Sequence, residues 1–545
     1  MLLPITTVAE KLGLSGDDLI PYGRSKAKLE GSVLTRARSR PGQAKLVLVS
    51  AITPTPAGEG KTTTSIGLAD ALARIGHSSV AVLREPSLGP CFGIKGGGTG
   101  GGRARLEPSD DINLHFTGDF HAITSAHNLL AAAIDNQLHF GGDLGGLDSR
   151  RVTFRRVLDM NDRSLRDTLI GLGGDSGVPR ETGFDITAAS ELMAMLCLAD
   201  DSEDLRARID RTLIGFSRTG DAVLAKKVGV TGAMLALLRD AMLPNLVQTQ
   251  EGTPALVHGG PFANIAHGCN SVIATRAGLR LADWVVTEAG FGFDLGAEKF
   301  FDIKCRLAGL DPALVVIVAT VRALKMHGGK PLTEITQVDP EAVRQGLPNL
   351  AKHLESARLF GKTPVVSINR FDADSAEELA VIEAFCNSVG VRVALSEHFA
   401  RGAEGAVGLA EAVVATAAEP FTPFRPVYEL SATIPEKLTA ITKQVYGGKG
   451  VVLTKSAERD LRDVERLGYG GLPVCVAKTQ NSLSDNPRLR GRPSDFEVTV
   501  RNLRISAGAG FVVALTGEIM TMPGLPRVPQ ANAIDLQDGV IKNLM

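Results

Sequence analysis

The sequence predicts an α/β protein with a doubly wound, mostly parallel sheet, a P-loop-like nucleotide site and two smaller α/β domains. Three observations support this fold class. A strand, a glycine-rich loop, a helix and a second strand follow one another near residue 50, apolar strands alternate with helices after residue 255, and the pattern changes past residue 400. The length of 545 residues allows roughly three or four domains at about 150 residues each.

The first βαβ unit begins with residues 46–52, a short apolar run of the kind that forms a strand buried on both faces. A loop rich in Pro and Gly follows, and Lys61 opens a helix that should end near Gly76. Residues 80–83 form the next predicted strand. A right-handed crossover is expected between the two strands.

The loop of this unit is predicted to bind nucleotide phosphates. Its match to the pattern G-x-x-x-x-G-K-[ST] is imperfect, because Thr55 replaces the first Gly. The amides that open a helix attract an anion, a lysine adds a full positive charge, and a hydroxyl can hold Mg²⁺. The alternative is a glycine-rich turn with a surface lysine. The candidate nucleotide-binding residues are Thr55, Pro56, Ala57, Gly58, Glu59, Gly60, Lys61 and Thr62.

Three further segments each allow two interpretations. The basic segment 22–28 is either a solvated face or a contact with substrate or a neighbouring subunit, and the glycine-rich segment 93–102 is either a linker or a loop that closes over a ligand, with Lys95 as a second cation. Asp119, near a predicted helix start, is either an N-cap or a polar acceptor in a site. His115, His121 and His127 are six residues apart, a spacing that does not place them on one helical face as metal ligands.

The α/β rhythm then extends along the chain. Residues 255–264 are predicted as a strand running into a loop, 284–292 as a strand with a glycine-rich exit, and 314–320 and 364–369 as two further strands. Their ligand should lie beyond the carboxyl ends of the strands, where Lys61, Arg84, Glu288 and Asn369 are found. The predicted domains are 1–360, with a helical insertion near 148–240, then 361–480, and a small C-terminal domain 481–545.

Composition excludes several classes of function. A formal net charge of −1 gives no electrostatic reason to bind nucleic acid or an anionic membrane. The six cysteines show no C-x-x-C spacing, which argues against a zinc site or a disulfide framework and favours a reducing cytoplasm. We expect neither a signal peptide nor a transmembrane helix.

The position of Arg84 suggests which reaction the bound nucleotide takes part in. A guanidinium at a strand end beside the phosphate loop can bind a second anion bidentately. Two anions held at Lys61 and Arg84 suggest transfer of a phosphoryl group to a carboxylate.

Six long motifs, in order along the chain, resemble formate–tetrahydrofolate ligase (formyltetrahydrofolate synthetase). They begin at Thr55 (TPAGEGKTT), Arg84 (REPSLGP), Asp111 (DINLHFTGDFHAIT), Val321 (VRALKMHGG), Ala477 (AKTQ) and Gly517 (GEIMTMPGLP). The resemblance implies that ATP phosphorylates formate, and that the amine of tetrahydrofolate attacks formyl phosphate to give 10-formyltetrahydrofolate, ADP and phosphate.

The resemblance also implies residue roles. Lys61, Arg84 and Asp119 would be catalytic: Lys61 would hold nucleotide phosphates, Arg84 formate and formyl phosphate, and Asp119 would orient or deprotonate the folate amine. Thr62 would bind magnesium and Glu85 would be linked to a monovalent cation, potassium or ammonium. Phe371 would form one wall of the folate pocket by aromatic stacking. A cytoplasmic homotetramer is implied as well.

Two departures from the family pattern lie in the predicted pocket. Asp372 follows Phe371 where the family has Pro, and Phe399 replaces the usual Trp of the opposite wall. The glycine-rich loop continues with Arg103 and Arg105, which would either meet the acidic tail of folate or be solvated. Two alternatives to the family function are an ATP-dependent carboxylate kinase or ligase acting on a different amine, and a non-catalytic nucleotide-binding scaffold.

Overall fold

The structure, a computed structural model, describes residues 2–36, 43–93, 97–263, 266–517 and 519–544. Its first part contains the predicted βαβ unit, preceded by two short antiparallel strands. The elements are α1 Ile5–Glu10, β1 Leu19–Pro21, β2 Ala27–Leu29, α2 Gly31–Thr35, β3 Lys45–Ala51, α3 Lys61–Arg74, β4 Ser79–Leu83, α4 Leu88–Phe92, β5 Gly100–Gly101, β6 Ala104–Glu107, α5 Ser109–Asn113 and α6 Asp119–His139.

Residues 148–240 are not simply helical, and this part of the prediction is wrong. Three helices occur among seven short strands: β7 Leu147–Val152, β8 Arg156–Leu158, β9 Thr168–Ile170, β10 Arg180–Thr182, β11 Phe184–Ile186, α7 Glu191–Leu198, α8 Ser202–Asp210, β12 Leu213–Ser217, β13 Ala222–Leu224 and α9 Thr231–Leu238. Five of these strands have three residues each, which is too short to display an alternating pattern in the sequence.

The α/β rhythm returns where the sequence predicts it. The elements are β14 Asn245–Thr249, β15 Pro254–Val257, α10 Val272–Leu281, β16 Trp284–Glu288, α11 Arg306–Ala308, β17 Leu314–Ala319, α12 Val321–His327, α13 Pro340–Leu359, β18 Pro364–Asn369, α14 Ala376–Ser388, β19 Arg392–Ser396, α15 His398–Arg401 and α16 Val407–Thr416. The four strands predicted between residues 255 and 369 are therefore confirmed, and each begins within one residue of its predicted start.

One large, mainly parallel sheet organises the molecule. Its strand order is β1-β2-β14-β15-β4-β16-β3-β17-β18-β19, and β5 and β6 are attached through β14. All pairs from β15 to β19 are parallel. The consecutive strands β16 and β17 lie on opposite sides of β3, so the connection crosses over β3 and a crevice is expected at its carboxyl end.

Helices cover both faces of this sheet, as predicted for a doubly wound fold. On β3, Leu46 and Leu48 belong to a core shared with α10 and α13, whereas Val47 and Val49 belong to a second core shared with α3 and α16. Successive side chains of a strand point to opposite faces. The apolar run is therefore continuous because both faces are buried.

The C-terminal part forms smaller sheets. Its elements are α17 Ile434–Ile441, β20 Gly450–Leu453, α18 Lys455–Arg466, β21 Val474–Ala477, β22 Glu497–Val500, β23 Asn502–Ser506, β24 Phe511–Leu515, β25 Asp535–Gln537 and β26 Val540–Lys542. Strands β18 and β19 continue the large sheet, so a boundary at residue 360 would divide that sheet. The division into three domains otherwise stays a prediction.

Two further properties bear on function. In the described ranges, no helix combines the length and the apolar character needed to cross a membrane. The same part of the chain contains no group of three or more His, Cys, Asp or Glu side chains arranged to hold a metal ion. All six cysteines are buried free thiols.

Candidate active site

The predicted phosphate loop joins the carboxyl end of β3 to the first turn of α3. Gly58 and Gly60 both have positive φ angles, +81° and +76°. Gly60 is the N-cap residue of α3 and has no side chain to bond the first-turn amides. A helix start of this kind presents its N–H groups to an incoming anion.

Glu59 fixes the loop from inside. Its side chain is buried, Oε1 accepts a hydrogen bond from the Thr55 amide at 2.6 Å, and Oε2 accepts one from the Thr320 hydroxyl. The Glu59 carbonyl accepts a hydrogen bond from Nδ2 of Asn369 at 3.0 Å. The Glu59 carboxylate therefore braces the loop against Thr320, which follows β17, and the Glu59 carbonyl ties the loop to the end of β18. Pro56 and Ala57 form the exposed outer edge of the loop.

Thr62 and Arg84 meet at one carboxylate, Glu288, which ends β16. The Thr62 hydroxyl donates to Glu288 Oε2 at 2.8 Å, and Arg84 Nη2 lies 4.0 Å from Oε1. The sequence placed Arg84 on the strand beside the phosphate loop, but β16 lies between β3 and β4. Glu288 is therefore the residue that connects the first turn of α3 with Arg84.

The Arg84 guanidinium is positioned by few bonds. Nη1 donates to the Pro261 carbonyl at 3.1 Å, and Nε is buried without a hydrogen-bond partner among the described residues. About a quarter of the side chain is exposed. An arginine held in this way retains donors for an anion.

Asp119 is not an N-cap, because Gly118 occupies that position and Asp119 is the first residue of α6. Its side chain is buried instead in a polar cluster. Oδ1 pairs with Lys28 Nζ at 2.7 Å and Oδ2 accepts from Asn245 Nδ2 at 2.8 Å. Both carboxylate oxygens are thus engaged, as expected for a buried charge.

Lys28 corrects the interpretation of segment 22–28 as a solvated face. Its side chain is fully buried and also donates to the Leu243 carbonyl. Lys26 in the same segment pairs with Asp111 at 2.7 Å. The local sequence gave no sign that Lys28 is buried, because its partner, Asp119, lies 91 residues further along the chain.

Glu85 lies in the same electrostatic environment. It is almost fully buried, and its Oε2 has no hydrogen-bond partner among the described residues. Burial raises the pKa of Glu85 well above its usual value, Asp119 and Asp159 raise it further, and Lys28 opposes the rise. A cation beside this oxygen would favour the ionised form.

Two aromatic residues follow the adjacent strands β18 and β19. Phe371 is half-buried, and the Arg322 guanidinium lies 3.6 Å from its ring centroid. Phe399 is 55% exposed, and its carbonyl accepts a hydrogen bond from the Arg103 amide at 2.8 Å. Because Arg322 covers one face of Phe371, only the other face is open to a flat ligand.

A family model for formate–tetrahydrofolate ligase matches residues 1–545, the whole length of the sequence. The chain belongs to the formate–tetrahydrofolate ligase family. Its activity is the ATP-dependent joining of formate to tetrahydrofolate in one-carbon metabolism. The resemblance drawn from the six motifs is therefore confirmed.

The ligase brings most of the predicted site residues to the carboxyl edge of the sheet. Contacts connect Thr62 with Arg84 through Glu288, and the phosphate loop with β18 through Asn369. Lys61 is half-buried at the start of α3. Lys95, the predicted second cation, lies outside the described residues.

Sequence reasoning missed three residues of this region: Lys28, Arg322 and Thr320. Thr320 directly follows β17, and Arg322 belongs to the motif that begins at Val321; these positions after a central strand were the available signal. In a doubly wound sheet, residues directly after a central strand lie at the ligand-binding edge.

Proposed function

We propose that this ligase works through formyl phosphate, with the crevice at the end of β3 as the site of both half-reactions. The observation that carries the proposal is the shared carboxylate. Glu288 accepts a hydrogen bond from the Thr62 hydroxyl and faces Arg84. A nucleotide-side hydroxyl and an anion-binding guanidinium are thus adjacent, as transfer between two anions requires.

In the first step, a formate oxygen attacks the γ-phosphorus of ATP, and ADP leaves. The loop from Thr55 to Gly60 and the α3 amides would hold the nucleotide phosphates, with Lys61 supplying a full positive charge. Arg84 would bind formate through its fork and stabilise the charge that spreads over the transferred group. Catalysis would come mainly from positioning and charge neutralisation.

The residues present fit a magnesium ion. Mg²⁺ prefers oxygen ligands, and Thr62 Oγ1 and Glu288 Oε2 lie 2.8 Å apart beside the phosphate loop. Thr62 would hold the ion, with Glu288 as its supporting carboxylate. When bound, the ion neutralises charge on the nucleotide phosphates.

A monovalent cation, potassium or ammonium, fits Glu85. Its buried oxygen lacks a hydrogen-bond partner among the described residues, and burial opposes its ionisation. A cation there would compensate the charge of Glu85 in a pocket that also contains Asp119. This cation would thereby preserve the shape of the pocket beside Arg84.

In the second step, the folate amine attacks the carbonyl carbon of formyl phosphate, phosphate leaves, and a proton is lost from nitrogen. Because Lys28 and Asn245 occupy both oxygens of Asp119, we assign Asp119 to orienting the amine. Deprotonation by Asp119 would require one of these bonds to open. Phe371 and Phe399 would form the walls that hold the folate ring.

The experiment is product formation by the purified protein with Mg-ATP, potassium, formate and tetrahydrofolate, omitting one component at a time. We expect 10-formyltetrahydrofolate, and ADP in amounts beyond one per active site, only in the complete mixture. Continued ADP release over many turnovers without folate would instead favour a kinase or a ligase for another amine. Nucleotide binding with no turnover would favour a scaffold.

Two features rest on the family resemblance alone: assembly as a homotetramer and a cytoplasmic location. Light scattering coupled to size-exclusion chromatography gives the molar mass of the assembly. A mass of four chains is expected, and a monomer would contradict the assembly. Fractionation of the source cells tests the location.

A further inference from the structure

We propose that Arg103 binds the carboxylates of the glutamate tail of tetrahydrofolate. The inference rests on the proposed folate pocket at Phe371 and Phe399. It assigns a specificity residue to the acidic end of the substrate, whereas the preceding assignments concern its reacting amine and its ring.

Arg103 lies in the two-residue turn of the β5–β6 hairpin, beside the proposed wall of the pocket. Its amide donates to the Phe399 carbonyl at 2.8 Å. A Cβ atom on Gly101 would lie 3.1 Å from Cε2 of the Phe399 ring, and one on Gly102 would overlap the Phe399 carbonyl. The hairpin and Phe399 are therefore packed together as closely as glycine permits.

The Arg103 guanidinium is exposed and, among the described residues, has no hydrogen bond or ion pair. Other arginines at this edge are already neutralised at short range. Arg370 pairs with Glu397 at 2.5 Å, and Arg401 pairs with Glu397 at 2.9 Å and with Glu404 at 2.5 Å.

Two carboxylates near Arg103 are also committed elsewhere. Glu251 Oε1 accepts a hydrogen bond from the Ala403 amide at 2.9 Å. Glu404 has a pKa below its usual value, chiefly through its hydrogen bond with Arg401, and Arg103 contributes only a weaker, longer-range attraction. Unlike Arg370 and Arg401, Arg103 therefore keeps its charge and its donors for a ligand.

Tetrahydrofolate has the matching chemistry. Its pterin ring is flat and suits stacking, and its opposite end is a glutamate with two carboxylates, to which further glutamates can be linked. A ring held at Phe399 would leave the tail free to reach the hairpin that packs against this residue. Because the hairpin backbone is already fixed, binding the tail would order little more of the protein than one side chain.

Arg105 provides a matched control two residues away on the same hairpin. Its Nε donates to Glu107 Oε1 at 2.7 Å, so its charge is already balanced. Substituting Arg105 changes the net charge by the same amount as substituting Arg103. Only the substitution at Arg103 should weaken binding of the glutamate tail.

The test compares wild type, Arg103→Gln and Arg105→Gln with the mono- and triglutamate forms of tetrahydrofolate. For Arg103→Gln we expect KM to rise about three- to tenfold, with the larger rise for the triglutamate, and the effect to shrink at high salt. The change should be confined to KM, because the tail does not react.

Equal KM changes in the two variants, or none in Arg103→Gln, would overturn the proposal. So would a uniform loss of kcat with unchanged KM. Failure of wild type to form 10-formyltetrahydrofolate from the monoglutamate would instead contradict the proposed function itself. Thermal melting confirms that both variants remain folded.

Discussion

The Thr62 hydroxyl, in the first turn of α3, donates a hydrogen bond of 2.8 Å to Oε2 of Glu288 at the carboxyl end of β16. The two residues are 226 positions apart in the chain. Glu288 also faces Arg84 through its other oxygen. One carboxylate therefore connects the proposed magnesium side of the site with the proposed formate side.

Glu288→Gln should lower ligase activity about 10- to 100-fold and raise the magnesium concentration needed for half-maximal rate. The amide keeps the shape of the side chain but loses the charge that supports the ion, and supporting groups of this kind typically contribute that much. Steady-state rates over a magnesium titration measure the effect. Glu107→Gln, which removes a carboxylate paired with Arg105, serves as the control. An unaltered magnesium requirement in Glu288→Gln would remove Glu288 from the site.

Arg84→Ala should abolish formyl transfer, with kcat lowered at least about 10²-fold, while ATP still binds. Arg84→Lys keeps the charge but loses the fork, and should recover little of the rate. Calorimetry measures ATP binding, and the absorbance of the folate product measures transfer. Substantial synthesis by the Ala variant would contradict the role given to Arg84.

Gly60→Ala should weaken ATP binding more than Gly58→Ala. Both glycines have positive φ, so each alanine carries backbone strain of about 1–2 kcal/mol. Only at Gly60 would the new Cβ also meet a neighbour, Asn369 Nδ2, at 2.5 Å, whereas nothing lies within 4 Å at Gly58. Adding Asn369→Ala to Gly60→Ala should restore part of the affinity, measured by calorimetry. Equal losses at the two glycines would show that strain alone matters.

The contribution of Asp70 to stability should fall between about pH 4 and pH 7. This carboxyl is buried in α3, and burial raises its pKa from 3.8 to about 7, opposed by a hydrogen bond from Thr249. The folded state therefore holds a proton that the unfolded state releases, so the contribution of Asp70 to stability is greatest below pH 4 and is lost as the pH rises through 7. Because a tenfold change in proton affinity is worth about 1.4 kcal/mol, the loss amounts to at most about 4 kcal/mol.

Asp70→Asn should flatten this part of the profile. Melting temperatures of wild type and variant are measured from pH 4 to pH 8, with Asp17→Asn, at an exposed position, as the control. We expect the melting temperature of the variant to rise relative to that of wild type as the pH increases. Parallel profiles would show that Asp70 ionises normally.

Lys478→Met should destabilise the protein by about 3–5 kcal/mol, because it leaves Asp294 charged and buried. Lys478 Nζ lies 2.7 Å from Asp294 Oδ2, and both side chains are almost fully buried. The double variant Lys478→Met with Asp294→Asn should be less destabilised than Lys478→Met alone. Thermal unfolding gives the comparison, and additive losses would mean that the two residues do not interact.

Sequence patterns predicted secondary structure correctly where the local run of apolar residues reflects how the element is buried in the fold. Residues 46–52, the phosphate loop and the helix from Lys61 were predicted within one or two residues, since a strand buried on both faces is a continuous apolar run and a glycine marks each end of the helix. The pattern failed in residues 148–240, where three-residue strands leave no period to detect. The sequence pattern was also misleading at Lys28, because a charged side chain in a basic segment suggests exposure to solvent, whereas this side chain is fully buried.

The family, the α/β class and the residue types at the strand ends could be predicted from the sequence, because they depend on contiguous motifs. The partners of these residues could not: β16 lies between β3 and β4, Glu288 joins Thr62 to Arg84, and Lys28 is buried against Asp119. The physical reason is that a parallel sheet brings together strand ends separated by tens to hundreds of residues. The order of strands is set by packing of the whole chain, and no local pattern records it.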